Sequence, residues 1–381
     1  MSIFLIFFVI YIILSLLVTW IIYSSLKIYY EEIIVFRKKT KENINLHKEF
    51  ETYARKDSKI NIFTLFLGVI TLFWIRFIIF LLFTNLCNFI LYYKLQHTEK
   101  PNFINNKERP IFKKIINTLT KYYVYLSGII INYHRFDTDK VNKVYKKYFG
   151  PDYVISYEEP FSCYICNHIS FCDMMLAMRF LGCGFVAKSS VKNSPILGLM
   201  NKNFQSVFVD RGNEKNKKLT LNEIMERQKQ FLDHSFPTPI MIFPEGTTTS
   251  NRDIIYFKKG AFEALLPIKP MMIKGNEDKD YHIGCGNSNV VINFLRGLCR
   301  LYQKIEYIEM PIIKPTKFMY ENYKEFGKEK WEIYSKVARE IYCELGGFHR
   351  SKNTIRDNFR YSDCLTKKCF IEEDDYQIHD N

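Results

Sequence analysis

The sequence predicts an α/β layered domain carried on apolar N-terminal segments. Short apolar runs recur between residues 161 and 313, amphipathic or polar stretches separate them, and two much longer apolar stretches come before them. The short runs are FSCYIC (161–166), GFVAK (184–188), QSVFVD (205–210), PIMIFP (239–244), PMMIK (270–274) and IEYIEMPII (305–313). Several are rich in β-branched or aromatic residues and bounded by Gly, Pro, Asn or Asp, so they read as buried strands. Helices are predicted between them. One covers 221–234, opened by Thr220 with Glu223 at capping-box spacing. Another covers 329–346 and ends at Gly346-Gly347. There is no internal repeat.

Residues 3–23 form 21 positions without a formal charge, long enough to span a hydrocarbon core as a helix. A signal peptide would need a basic start and a small-residue cleavage site. The first basic residue here is Lys27, so a retained anchor is the better reading. The second apolar stretch, 61–93, has 33 residues. As one helix it would be about 50 Å long against a core of about 30 Å, and Arg76 sits near its middle, an expensive place for a charge. A steeply tilted helix is one solution; a membrane hairpin accommodates both the length and the arginine. Charge placement agrees: nine Lys/Arg lie in 24–60 and six in 94–114, which puts both flanks in the cytosol and the N-terminus outside. The predicted organisation is an anchor at 1–24, a basic cytosolic loop at 25–60, a membrane hairpin or second membrane segment at 61–93, a catalytic domain at 94–349 and a polar tail at 350–381.

The net charge of +14 favours anionic partners. The basic residues cluster beside apolar segments, where anionic lipid head groups account for them, and no nucleic-acid-binding module is recognisable. Most of the 10 cysteines sit singly in apolar strings, which fits free thiols in a reducing compartment. Cys163 and Cys166 form a CxxC, but positions three apart on a strand point to opposite faces, so the pair reads as packing rather than a zinc half-site.

Four stretches carry chemistry. CNHISFCDMM (166–175) places His168 five positions before Asp173. An imidazole whose second nitrogen is held by a carboxylate is a competent general base. The same spacing also suits a helix start capped by Ser170, with Asp173 in its first turn. FVDRG puts Arg211 just past a strand, suited to a phosphate or to a surface ion pair. PEGTTTSN breaks a strand at Pro244-Glu245-Gly246, and Gly246, Thr247 and the following amides could meet an anion or form an ordinary turn. LPIKP (266–270) begins a Pro-bounded strand.

These blocks in this order resemble the glycerolipid acyltransferases, whose motifs NHxxxxD, an Arg after an apolar strand, FPEG and a Pro-containing strand correspond to Asn167–Asp173, FVDRG, Phe243–Gly246 and LPIKP. The similarity covers roughly 122–315. FPEGTTTSN followed by FKKGAF, and AKSSVKNSPILG at 187–198, look most like the lysophosphatidylcholine and lysophosphatidylethanolamine acyltransferases. The resemblance implies a layered domain with a mixed central sheet. It also implies transfer of a fatty acyl group from acyl-CoA, as co-substrate, to the free glycerol hydroxyl of a lysophospholipid, with lysophosphatidate or glycerol 3-phosphate as the alternative acceptor. By the same resemblance His168 is the general base and Asp173 its orienting acid. Arg211, Pro244, Glu245, Gly246 and Thr247 form the acceptor and phosphate site; on charge rather than motif, Lys188 and, more loosely, Lys258 and Lys259 are the candidates to meet the CoA phosphates. No metal or other cofactor is implied. The chemistry and anchors imply an integral protein of the endoplasmic reticulum with its catalytic domain in the cytosol. A catalytically dead lipid-binding scaffold would have no need of His168, Asp173, Arg211 and Glu245 together. EEDDYQIHDN in the tail lacks the central Gly of a calcium loop.

Overall fold

Residues 3–40 contain neither Gly nor Pro, and in the computed structural model they form one helix, α1 (Ile3–Thr40). The structure describes residues 3–40, 52–53, 61–96, 109–170, 172–193, 198, 201–202, 204–209, 214–275 and 290–367. The helix therefore runs well into the predicted basic loop, of which only 52–53 are otherwise described.

The second apolar stretch takes the form of a single segment rather than a hairpin. Residues 61–93 do not turn back on themselves. They form α2, a continuous helix built from Ile62–Gly68, a π-helical turn Val69–Phe73 and Trp74–Gln96, with Asn61 capping its start. No Pro interrupts it, and the π turn absorbs the irregularity without breaking the axis. α1 and α2 pair with each other: the Tyr11 hydroxyl donates to the Ile70 carbonyl, and Trp74 Nε1 donates to Ser15 Oγ at 2.9 Å. Ile3–Lys27 and Ile62–Leu86, 25 residues each, are long and apolar enough to cross a membrane.

Further helices and strands follow in the order α3 (Arg109–Leu126), β1 (Ile129–Arg135), α4 (Thr138–Phe149), β2 (Cys163–Cys166), α5 (Cys172–Leu181), β3 (Gly184–Lys188), β4 (Val207–Val209) and α6 (Glu214–Leu232). After them come β5 (Ile240–Ile242), β6 (Asp253–Ile254), β7 (Ile268–Gly275), α7 (Val290–Leu298), β8 (Gln303–Glu309), α8 (Lys317–Asn322), α9 (Lys330–Gly346), β9 (His349–Arg350) and α10 (Ile355–Lys367). All six predicted strands are present: β2, β4 and β5 are shorter than their runs, β3 coincides with its run, β7 is longer, and β8 starts and ends earlier. β1 is an addition: IIINYHR was not singled out in the sequence, although it is a β-branched run.

Seven strands form one mixed sheet in the order β1-β8-β7-β2-β5-β3-β4, with β6 and β9 in a separate pair. Only β7 and β8 are antiparallel; the other neighbours are parallel. One edge of the sheet consequently gathers the C-terminal ends of β2, β3, β4, β5 and β7 with the N-terminal ends of β8 and β1. Ligand sites in α/β sheets lie beyond such carboxyl ends. One face is covered by α4 and α9, the other by α3 and α5. Cys163 belongs to the first core and Cys166 to the second, as strand alternation requires.

Two predicted boundaries shift. Thr220 does not cap a helix, because α6 starts at Glu214 and the Thr220 hydroxyl bonds back to the Asn216 carbonyl at 2.8 Å. α9 starts as expected, with Glu329 and Glu332 in a capping box and Gly347 in the left-handed region at its end. The first part of the predicted tail belongs to the domain, since β9 pairs with β6 and Tyr361 of α10 is buried.

Arg76 has a structural explanation. Its guanidinium donates to the carbonyls of Leu298 (3.2 Å), Arg300 and Leu301 (3.1 Å), at and just past the C-terminal end of α7. Those carbonyls lack intrahelical partners, and the helix dipole favours a cation there. α1, α2 and α7 share a small core of Ile22, Leu26, Leu65, Val69, Phe73 and Leu298. Gly68 permits this approach, because a Cβ there would sit 2.1 Å from the Cys299 carbonyl oxygen. Gly68→Ala is accordingly expected to destabilise the protein by ~1–3 kcal/mol, read as a lowered thermal midpoint in detergent. An unchanged midpoint would mean that α2 and α7 are not in contact.

Candidate active site

β2 ends at Cys166, and the chain turns immediately into α5 through Asn167–Ser170. Two side chains make that turn rigid. The Asn167 amide bridges to β7, donating to the Ile273 carbonyl at 2.9 Å and accepting from the Ile273 N–H at 2.8 Å. Ser170 Oγ accepts from the Cys172 N–H at 3.1 Å and donates to Asp173 Oδ1 at 3.0 Å. Ser170 thus caps α5 while also holding Asp173. The geometry accommodates both readings of the spacing.

Asp173 is buried and closes on the turn that precedes it. Its Oδ2 accepts from the backbone N–H groups of Ile169 (2.7 Å) and Ser170 (2.9 Å) and lies 2.8 Å from His168 Nδ1. A carboxylate at Nδ1 fixes the proton there and leaves Nε2 as the basic nitrogen. The His168 side chain is 20% exposed against 0% for Asp173, so the imidazole alone reaches the surface of the site. Its ring stacks on Phe243, centroids 4.1 Å apart.

Glu245 lies beneath this pair rather than beside an open acceptor pocket. It is 0% exposed. Its Oε1 accepts the His168 N–H at 2.9 Å, while Oε2 accepts from Thr249 Oγ (3.3 Å) and from the Ile255 N–H (3.4 Å). The Thr249 N–H in turn donates to the His168 carbonyl at 2.9 Å. The His168 backbone is therefore gripped on both sides by the turn that follows β5. Burial pushes the Glu245 carboxyl up to about 8; the three hydrogen bonds it accepts pull the other way, and nearby Asp173 adds to the rise. The acid is largely neutral at pH 7.

Gly246 has φ +72°, and a Cβ there would come within 2.9 Å of Lys258 Cε. Lys258 thus lies over the Pro244–Gly246 turn, and its N–H donates to the Pro244 carbonyl at 2.8 Å. Thr247 accepts from the Asn358 amide of α10, and Pro244 is buried. Lys259 goes elsewhere: it pairs with Glu263 at 3.0 Å and Glu329 at 3.9 Å, on the side of α9. Lys188 is exposed at the end of β3, on the same sheet edge as His168. Arg211 lies outside the described residues; the strand before it, β4, ends at Val209 beside Lys188.

Sequence reasoning missed the roles of Phe243 and Thr249. Both flank the Pro244–Gly246 turn, and their proximity to His168 depends on β2 and β5 being neighbours. The linker between α1 and α2 also reaches this loop. The Ser250 N–H donates to the Thr52 carbonyl at 2.7 Å, and Tyr53 donates to the Thr354 carbonyl at 2.6 Å while stacking on Tyr361.

Residues 154–274 match the family described as Acyltransferase, a segment that holds His168, Asp173, Arg211 and Glu245. A lysophospholipid acyltransferase of Arabidopsis thaliana is 28% identical over 183 residues, 48% of this chain and 46% of its own length. Lysophosphatidylcholine acyltransferase 1 of Homo sapiens is 27% identical over 194 residues, 51% of this chain and 34% of its own length. The matched region is thus less than half of each of these relatives. The crystal structure of the 1-acyl-sn-glycerophosphate acyltransferase of Thermotoga maritima superposes with a TM-score of 0.41 at 17% identity, covering 71% of this chain and 97% of that one.

Proposed function

We propose that this chain, which carries an acyltransferase-family domain across residues 154–274, transfers a fatty acyl group from acyl-CoA to the free glycerol hydroxyl of a membrane lysophospholipid. The observation that carries the reading is the His168–Asp173 contact of 2.8 Å within the matched segment, at the carboxyl edge of the sheet. His168 Nε2 takes the proton of the acceptor hydroxyl as its oxygen attacks the thioester carbonyl. The new ester C–O bond forms, the C–S bond breaks, and the CoA thiolate leaves and recovers the proton from the imidazolium. Asp173 stabilises that imidazolium in between. The acceptor oxygen is itself the nucleophile, so Cys166 and Cys172, both buried, have no covalent role.

The acceptor is a bilayer lipid in this reading, and α2 supports it. The helix joins the domain at Leu298–Leu301, just before β8 begins, on the sheet edge where β2 ends and His168 follows. The reading extends to an endoplasmic-reticulum protein whose catalytic domain faces the cytosol. Lys188 and Lys258 are the cations offered to CoA phosphates, and Arg211 to the acceptor's phosphate. Arg211→Lys is expected to raise the acceptor KM several-fold while leaving the acyl-CoA KM nearly unchanged, because an ammonium cannot reproduce a bidentate grip. The reverse pattern would move the phosphate site elsewhere. The test of the function is an acceptor panel of lyso-PC, lyso-PE, lysophosphatidate and glycerol 3-phosphate, assayed with labelled acyl-CoA in membranes containing the full chain. Transfer to lyso-PC or lyso-PE is expected. Exclusive use of lysophosphatidate or glycerol 3-phosphate would replace the acceptor assignment, and no transfer to any acceptor would overturn the reading.

A further inference from the structure

A cavity of about 390 Å³ lies in the seam between α2 and the catalytic domain. Leu72, Ile75 and Arg76 of α2 line one wall; Tyr125, Ile130 and Leu301 line the other. The volume falls in the range of ordinary small-molecule sites. Three features distinguish it from a packing gap. First, the π turn Val69–Phe73 contributes to its wall, and such turns are frequently found at functional sites. Second, its rim is apolar and uncovered: Tyr125 is 75% exposed, Leu301 71% and Ile75 64%. Soluble surfaces rarely leave such a contiguous group open. Third, Arg76 lines it too. A guanidinium has five N–H donors, and three of the bonds it makes go to the carbonyls past α7, so donors remain for an anion.

The cavity is continuous with the outward apolar face of α2, where Ile78, Ile79 and Leu82 are exposed along a helix long enough to cross a bilayer. It opens on the same sheet edge as His168, but β1 is separated from β2 by β8 and β7. A phosphate held at Arg76 is therefore about three strand spacings, roughly 14 Å, from the end of β2. We propose that this seam is a binding site for a resident diacyl glycerophospholipid of the bilayer. One acyl chain lies between Ile75 and Ile130, and the phosphate accepts from Arg76. The lipid would fill the gap that the π turn and the Gly68 contact leave between α2 and β1, joining the membrane helix to the catalytic edge. An arginine inside an apolar helix is expected to mark such a site. This inference does not depend on the acyltransferase reading.

The test uses the full chain in phosphatidylcholine nanodiscs doped with a phosphatidylcholine that carries a diazirine in one acyl chain. After irradiation, adducts are mapped by peptide mass spectrometry. The expected result is labelling of both walls, at 72–79 of α2 and at 125–130 or 301–302 of the domain. Ile130→Trp and, separately, Leu301→Trp should each cut labelling of the domain wall by roughly ten-fold and leave labelling around Phe63 and Leu82 unchanged. Because Leu301 is largely exposed, its variant is expected to fold even if Ile130→Trp does not. Adducts confined to the lipid-facing side of α2, or domain-wall adducts indifferent to both substitutions, would overturn the site. Displacement of those adducts by unlabelled lysophospholipid, but not by unlabelled phosphatidylcholine, would overturn the resident lipid and assign the seam to the acceptor.

Discussion

His168→Ala is expected to lower kcat for acyl transfer by roughly 100- to 10,000-fold, the span a positioned general base contributes. Protein level and both KM values should change little. The backbone of residue 168 is held by Glu245 and Thr249 through its N–H and C=O, neither of which the substitution removes. Retained transfer would sink the His–Asp mechanism. Asp173→Asn separates charge from tautomer. Asp173 Oδ2 collects two backbone N–H groups as well as His168 Nδ1, so an asparagine must place its carbonyl oxygen there. Its amide nitrogen then faces Ser170 Oγ, which can accept. The working tautomer survives and only the negative charge is lost. A hydrogen bond to a charged group contributes about 1.5–3 kcal/mol, so the expected loss in kcat is roughly 10- to 100-fold. A loss as deep as that of His168→Ala would mean that the tautomer flips after all.

The His168–Asp173 pair was legible because both residues lie within one turn of the chain, where five positions of sequence dictate the geometry. The six strands were legible for a similar reason: each is a short run whose neighbours break it. β1 escaped notice even though its composition is strand-like. The helix break inside 61–93 was expected from length and from Arg76, and both have non-local answers. The excess length is used in packing against α1 and the catalytic domain, and the arginine is satisfied by carbonyls more than 200 positions away. Thr220 shows the limit of a capping pattern, which an upstream run of helix-compatible residues from Glu214 onward overrides. Lys258 and Lys259 are adjacent in sequence and equal in charge, yet one lies over Gly246 and the other pairs with Glu263 and Glu329. Nothing in the local pattern separates them.

Glu245 shows the same limit at the site itself. In sequence it is a charged residue beside a glycine turn, which the family resemblance assigns to the acceptor site; in the fold its carboxyl is occupied by His168, Thr249 and Ile255. Glu245→Ala is expected to depress kcat by roughly 100-fold or more while moving the acceptor KM much less. It strands the buried His168 N–H, at a cost of about 1–3 kcal/mol, and releases the turn that aims the imidazole. A residue that bound the acceptor would raise KM instead, and that split decides between the two roles. Glu245→Gln is expected to be mild at pH 7, because the native side chain is already largely a neutral acid there, its carboxyl pushed by burial to about 8. The difference appears in pH dependence. Between the ordinary carboxyl value of 4.5 and about 8, the folded state keeps a proton that the unfolded chain has released. Stability therefore falls as pH rises through this window and stops falling above it, by an amount on the order of a few kcal/mol. Thermal midpoints measured from pH 5 to 9 should decline in the wild type and decline distinctly less in Glu245→Gln. Parallel slopes would mean that Glu245 ionises normally and that its burial beneath His168 has been misassigned.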